Sequence, residues 1–196
     1  ALDNKIRKIK SKKINELNND IKKASLVALI NNVRQIKDRK GMPLTFINFD
    51  DGTGTMDGII PSEILENCHN ILKEGQILVL KGIVEVDDYR TNDLGSLMYR
   101  MRVKEIHTID SELIKKTDGV LIDIEKSDAA SLEDFSARLN SIDKDLWKEG
   151  SCKLNVKVIK NESEATIDLG DDFKFSPTLE NLFFLEDIFG KNIIEI

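Results

Sequence analysis

Residues 41–60 read GMPLTFINFDDGTGTMDGII, and this stretch decides what the chain can fold into. Residues 44–49 are apolar and aromatic, with few residues that would break a strand. Asp51-Gly52-Thr53-Gly54 supplies types that tolerate a positive φ and close a tight turn. Residues 56–60 resume an extended pattern. The stretch therefore reads as a hairpin, preceded by a basic loop, Lys37-Asp38-Arg39-Lys40-Gly41. Successive strand residues point to opposite faces. If Ile47 and Phe49 face a core, Phe46 and Asn48 point outward.

More strands flank the hairpin. Residues 24–36 (ASLVALINNVRQI) form a β-branched run whose imperfect alternation suits a curled barrel strand. Pro61-Ser62-Glu63 opens a short helix, carried by Ile64, Leu65, Cys68, Ile71 and Leu72 and stopped at Gly75. Residues 76–86 (QILVLKGIVEV) are a fourth strand, with Gly82 as an expected bulge. Residues 97–106 alternate cleanly, with Arg100, Arg102 and Lys104 on one face and Tyr99, Met101 and Val103 on the other. Three strands, a helix and two strands is the order of the five-stranded OB barrel. In such barrels the loops after strands one and four flank the binding face. Here those loops carry Lys37, Arg39, Lys40, Tyr89 and Arg90.

The expected division is a basic connector at 1–23, an OB-fold nucleic-acid-binding domain at 24–110, a linker at 111–118 and a C-terminal α+β domain at 119–196. In the last domain residues 119–124 read as a strand, and Ser131 opens a helix bearing Leu132, Phe135 and Leu139. Trp147 falls in a short connection. Residues 153–159 alternate, 165–169 return, and 178–189 form an amphipathic helix capped by Ser176 ahead of Pro177. Residues 192–196 close as a strand. The order βαββαβ matches the split βαβ arrangement of ferredoxin-like folds.

Composition bounds the function. The 196 residues are 40% hydrophobic and 33% charged, as in globular proteins. No apolar run is long enough for a bilayer and no signal-peptide core is present. Two cysteines far apart, Cys68 and Cys152, read as reduced thiols in a cytoplasmic protein. The Ala1-Leu2 start suggests a piece of a longer chain. The net charge of -6 conceals an asymmetry: residues 1–23 carry +5, residues 24–110 carry -3 and residues 111–196 carry -8. Nucleic-acid contact should then be local, weak and salt-dependent, and the acidic last segment suits a protein partner.

Phe46 is the first candidate to stack a base, and Asn48 and Tyr89 accompany it. Arg34, Lys37, Arg39, Lys40, Arg90, Arg100, Arg102 and Lys104 can track phosphates as a cluster. The competing reading packs Phe46 under a loop and leaves each cation solvated. Trp147, Phe183, Phe184, Ile188 and Phe189 offer apolar surface to a partner, against the default that they fill a core. Asp50-Asp51 reads as turn chemistry rather than a metal pair. Cys68-His69, His107 and Cys152 lack a zinc spacing, no nucleophile triad or phosphate loop exists, and no cofactor is implied. The chain is therefore expected to be non-catalytic.

Residues 43–54 (PLTFINFDDGTG), Leu72-Lys73-Glu74-Gly75 and Val84-Glu85-Val86-Asp87-Asp88 resemble the C-terminal OB domain of the alpha subunit of bacterial DNA polymerase III. Phe173-Lys174-Phe175-Ser176-Pro177-Thr178, followed by a helix and Gly190, looks like that subunit's last domain. The resemblance implies a barrel that touches single-stranded template and a tail that binds the tau subunit of the clamp loader. The family's polymerase carboxylates and metal site lie in segments that precede this region. Two other readings stay open: an RNA-binding barrel of the tRNA-anticodon type, and a protein-interaction scaffold without nucleic acid.

Overall fold

The computed structural model describes residues 5–37, 41–88, 90–91, 97–148, 150–160, 163–191 and 193–196. Two compact units divide the chain, Lys10–Ile109 and a unit formed by 1–9 with Asp110–Ile196.

The barrel is built around one long strand, β1 (Lys23–Lys37). Its first half pairs antiparallel with β4 (Ile77–Val86) and its second half with β2 (Pro43–Asp50). The irregularity that lets it serve both lies between Ile30 and Asn32. β2 pairs with β3 (Thr55–Ile60), and β5 (Tyr99–Thr108) pairs antiparallel with β4. β3 then meets β5 in parallel over only three pairs, Asp57–Arg100, Gly58–Met101 and Ile59–Arg102. That ladder closes the barrel in the order β1-β2-β3-β5-β4. Helix α1 (Ser62–Cys68) lies between β3 and β4 in the chain and packs Cys68 on the core, followed by Leu72.

Alternation fills the interior. Ile47, Phe49, Met56, Ile60, Leu80, Met101 and Val103 are all buried. Gly58 is needed for this packing, because a Cβ there would stand 2.9 Å from Ile47 Cγ1 and 3.1 Å from Phe49 Cε1. The β4–β5 register shifts between Lys81 and Gly82, where an irregularity was expected, but the extra residue is Lys104 of β5, so the bulge lies opposite Gly82 rather than in β4.

Residues 10–22, read from sequence as part of a connector, lie on the barrel instead. Leu17 is buried, and Ile14 and Ile21 pack against the same core. The β2–β3 turn holds this leader. Asp51 Oδ2 accepts from Ile14 N at 2.7 Å, and Thr53 Oγ1 accepts from Asn15 N at 3.3 Å. Asp51 Oδ1 also accepts from Thr53 N and Thr53 Oγ1, at 2.9 and 2.7 Å, which is the turn role expected of it.

After the barrel the chain enters the second unit through α2 (Ile109–Lys116), where a linker over 111–118 was expected. Leu113 is fully buried and Glu112 pairs with Lys116 at 3.2 Å. Acids start and lysines end this helix, which complements its dipole. Strand β6 (Gly119–Asp123), helices α3 (Leu132–Ser141) and α4 (Asp145–Lys148), strands β7 (Cys152–Lys160), β8 (Ser163–Asp168) and β9 (Lys174–Phe175), helix α5 (Leu179–Phe189) and strand β10 (Ile194–Glu195) follow. The sheet order is β10-β6-β7-β8, with β9 also on β7. β6 and β7 are direct parallel neighbours. A split arrangement would insert a later strand between them, so this part of the ferredoxin-like expectation does not hold. The α5 cap also differs: Thr178 Oγ1 accepts from Asn181 N at 3.2 Å, while Ser176 offers its carbonyl to Asn181 Nδ2 at 3.0 Å.

Candidate nucleic-acid interface

Strand register places two rows of side chains on the outer wall. In the first, Arg34 of β1 stands opposite Phe46 of β2, Phe46 opposite Ile59 of β3, and Ile59 opposite Arg102 of β5. In the second, Asn32, Asn48, Asp57, Arg100 and Glu85 follow one another across β1, β2, β3, β5 and β4. Phe46 is half-buried and faces outward, its neighbours Thr45 and Ile47 being buried. The Arg34 guanidinium lies over its ring, 5.7 Å from the centroid. The ring thus has a cation over its face.

The second row is held by hydrogen bonds and ion pairs among its members and to Asn31 and Arg90 beside it. Asn31 Nδ2 donates to Asn48 Oδ1 at 3.1 Å, and Asn48 Nδ2 donates to Asp57 Oδ1 at 2.7 Å. Arg90 pairs with Asp57 at 3.3 Å. Arg100 and Arg102 share one carboxylate, Glu85, at 3.5 and 3.3 Å. These pairs are half-exposed, where an ion pair is worth about 1 kcal/mol or less, so a phosphate can compete for the arginines. The Arg100 Nε is buried with no acceptor, which leaves one donor unused.

The sequence-derived candidates separate accordingly. Arg34, Phe46, Asn48, Arg90, Arg100 and Arg102 gather on the wall just described. Lys37 is exposed at the end of β1, opposite Pro43. Lys104 is the residue of β5 left unpaired at the β4–β5 register shift, and it lines a cleft with Lys81 rather than the Phe46 row. Arg39, Lys40 and Tyr89 lie outside the described residues. Sequence reading missed Asp57 and Glu85, whose outward positions follow from the alternation Met56-Asp57-Gly58 and Val84-Glu85-Val86 once the core side is known.

In the second unit, Trp147 and Phe189 are not surface anchors. Trp147 is buried edge-on to Phe173 at 5.6 Å and beside Phe175 at 6.1 Å. Phe189 stacks on Phe135 at 4.6 Å. A small domain needs such rings for its core. Ile188 is half-buried, whereas Phe183 and Phe184 are 40% and 42% exposed. Phe183 lies 4.9 Å from the Lys5 ammonium, which is itself bound to Glu186 at 2.6 Å. Burial pushes both thiols up, Cys68 and Cys152, with Ser151 opposing the shift at Cys152. Among the described residues no group of His, Cys, Asp and Glu could hold a metal ion, and no helix is long and apolar enough to cross a membrane.

Residues 24–109 match the family of OB-fold nucleic acid binding domains. Over 194 residues the chain is 22% identical to the DNA polymerase III subunit alpha of Pseudomonas aeruginosa, a match covering 97% of this chain and 15% of that one. The corresponding subunit of Vibrio cholerae is 26% identical over 174 residues, 88% of this chain and 14% of its own length. The chain is thus similar in sequence to one segment of DNA polymerase III alpha subunits. It spans about one-seventh of the length of those relatives. Among solved structures, the SSB domain of a protein from Synechococcus sp. aligns with a TM-score of 0.37 at 9% identity, covering 46% of this chain and 99% of that one.

Proposed function

We propose that this chain is a non-catalytic C-terminal part of a replicative DNA polymerase III alpha subunit, working in the cytoplasm within the rest of the polymerase chain. Its barrel holds single-stranded template weakly and in a salt-dependent way. Its last unit docks the tau subunit of the clamp loader through Phe183 and Phe184. The observation that carries the first half is the Arg34–Phe46–Ile59–Arg102 row, a ring with cations at both ends on an outward barrel wall. The acidic balance of residues 111–196 and the exposed phenylalanines support the second half.

The test is fluorescence anisotropy of labelled oligo-dT at low salt. Phe46→Ala removes a stacking surface worth about 1–3 kcal/mol, so affinity falls roughly 5- to 150-fold. Equal binding by parent and variant overturns the assigned wall. For the partner, Phe183→Ser with Phe184→Ser abolishes capture of tau if the reading is right and leaves it intact if wrong. Truncation at 178 is a poorer test, since it also deletes the buried Leu182, Leu185 and Phe189. The pairing of Arg90, Arg100 and Arg102 with Asp57 and Glu85 favours one second reading, a barrel that serves as a protein scaffold. Absence of any oligo-dT binding by the parent would select it.

A further inference from the structure

A second basic feature lies on the barrel away from Phe46. The chain passes through a left-handed conformation at Lys10, with φ of 51°, which residues other than glycine adopt at a cost. It then runs alongside β1, where Lys12 N donates to Ser25 O at 2.8 Å. Lys10 and Lys12 from this segment, Lys23 from β1, Lys81 from β4 and Lys104 from β5 line one cleft of about 570 Å³. Among the described residues Glu105 is the single carboxylate lining it, and it engages Lys81 at 3.5 Å and His107 at 3.0 Å. No carboxylate among the described residues pairs with the other four lysines. Gathering like charges without counter-charge is unfavourable, and an anion relieves it. At the same place the hydroxyl of Ser25 is buried and has no hydrogen-bond partner. A buried polar group without a partner calls for an explanation; Thr45, Thr117 and Arg100 hold others among the described residues, and Ser25 is the one that lines this cleft of lysines.

We infer that this cleft is a phosphate-binding site, which takes the sugar–phosphate backbone of a polynucleotide without reading its bases. Among the described residues no aromatic side chain lines the cleft to stack a base, and lysines bind phosphate as point charges. It adjoins the first row, because Lys23 stands opposite Ile83 and Ile83 opposite Arg102. A strand leaving Phe46 past Arg102 would meet it, yet the inference does not depend on Phe46 taking bases. A free polyphosphate offers the same chemistry.

The experiment uses a labelled abasic oligodeoxynucleotide, which has phosphates and no bases. The parent binds it at low salt. The variant Lys12→Gln/Lys23→Gln/Lys104→Gln, checked for an unchanged urea midpoint, binds about tenfold or more weakly, and its slope of log affinity on log salt falls by about 2. Ser25→Ala weakens binding in the same direction, and Phe46→Ala leaves it unchanged. Inorganic tripolyphosphate identifies the source: displacement of the abasic chain means that the cleft accepts free polyphosphate too, and no displacement means that it requires the polymer. Abasic binding equal in parent and triple variant overturns the inference, and so does polyglutamate binding as tightly as the abasic chain. Oligo-dT binding that ignores Phe46→Ala, with abasic binding still dependent on the lysines, would sink the Phe46 reading and leave this one standing.

Discussion

Gly82→Ala is the perturbation that most directly tests the barrel. A Cβ at this position would sit 2.4 Å from the carbonyl oxygen of Arg102 and 2.9 Å from Met101 Cγ. The nearer obstacle is backbone, which no rotamer change can clear. Relief requires β4 to part from β5 at the bulge. Overpacking costs about 1–3 kcal/mol, and an obstacle of this kind belongs at the upper end, about 3 kcal/mol. With a urea slope of about 2 kcal/mol per molar, the midpoint of barrel unfolding falls by about 1.5 M. Gly52→Ala is the reference. It has φ of 82° and nothing within 4 Å of an added Cβ, so it carries only the left-handed penalty, about 1 kcal/mol and roughly 0.5 M. Far-UV circular dichroism is the readout, because the sole tryptophan, Trp147, lies in the other unit. A Gly82→Ala midpoint equal to that of the parent, or above that of Gly52→Ala, would refute the register given for β4 and β5.

Glu85→Gln releases Arg100 and Arg102 from their shared carboxylate, and oligo-dT affinity should rise by about two- to fivefold; a decrease in anisotropy titrations would mean that Glu85 positions the arginines rather than competing for them. Phe189→Ala removes a fully buried ring and should cost about 3–5 kcal/mol in a urea melt followed by Trp147 fluorescence, whereas Phe184→Ala, at a 42% exposed position, should stay within about 0.5 kcal/mol. Burial raises the Asp51 carboxyl, but hydrogen bonds from Thr53 and Ile14, with the charge of Lys13, outweigh it and hold its pKa below 3.8. Because the folded value is the lower one, its stabilisation is present above pH 3.8 and is lost as pH falls through the folded pKa. Asp51→Asn should therefore melt earlier than the parent at neutral pH and converge with it in acid, and parallel pH profiles would contradict this.

What could be read from the residues follows their local physics. The hairpin at 43–60, the irregularity at Gly82 and the outward pair Phe46 and Asn48 all come from two-residue alternation and glycine placement, whereas the strand that carries the extra residue, β5 at Lys104, does not. The ion pairs of Asp57 and Glu85 do not, because they depend on which strands become neighbours. The sequence order of β3 and β5 gives no hint that they meet in parallel. The same limit explains the second unit. Its helices and strands are legible from periodicity, yet whether β7 lies beside β6 is decided by packing on both sheet faces. Trp147 is ambiguous for a related reason, since an aromatic in a polar connection looks alike whether it folds inward or stays out. The leader at 10–22 has the charge pattern of a tether, and its place comes from tertiary contacts, those of Leu17 with the core and of its backbone with Asp51, Thr53 and Ser25.

The three-pair ladder between β3 and β5 is the shortest join in the barrel, and it bears Ile59 and Arg102 on its outer side. A polymer laid across those two residues acts as a splint over the weakest point of a hoop. Occupancy would then slow amide exchange along both strands, well past the residues touched. Conversely, any fluctuation that unlatches β3 from β5 would let go of the polymer, so grip and closure rise and fall together.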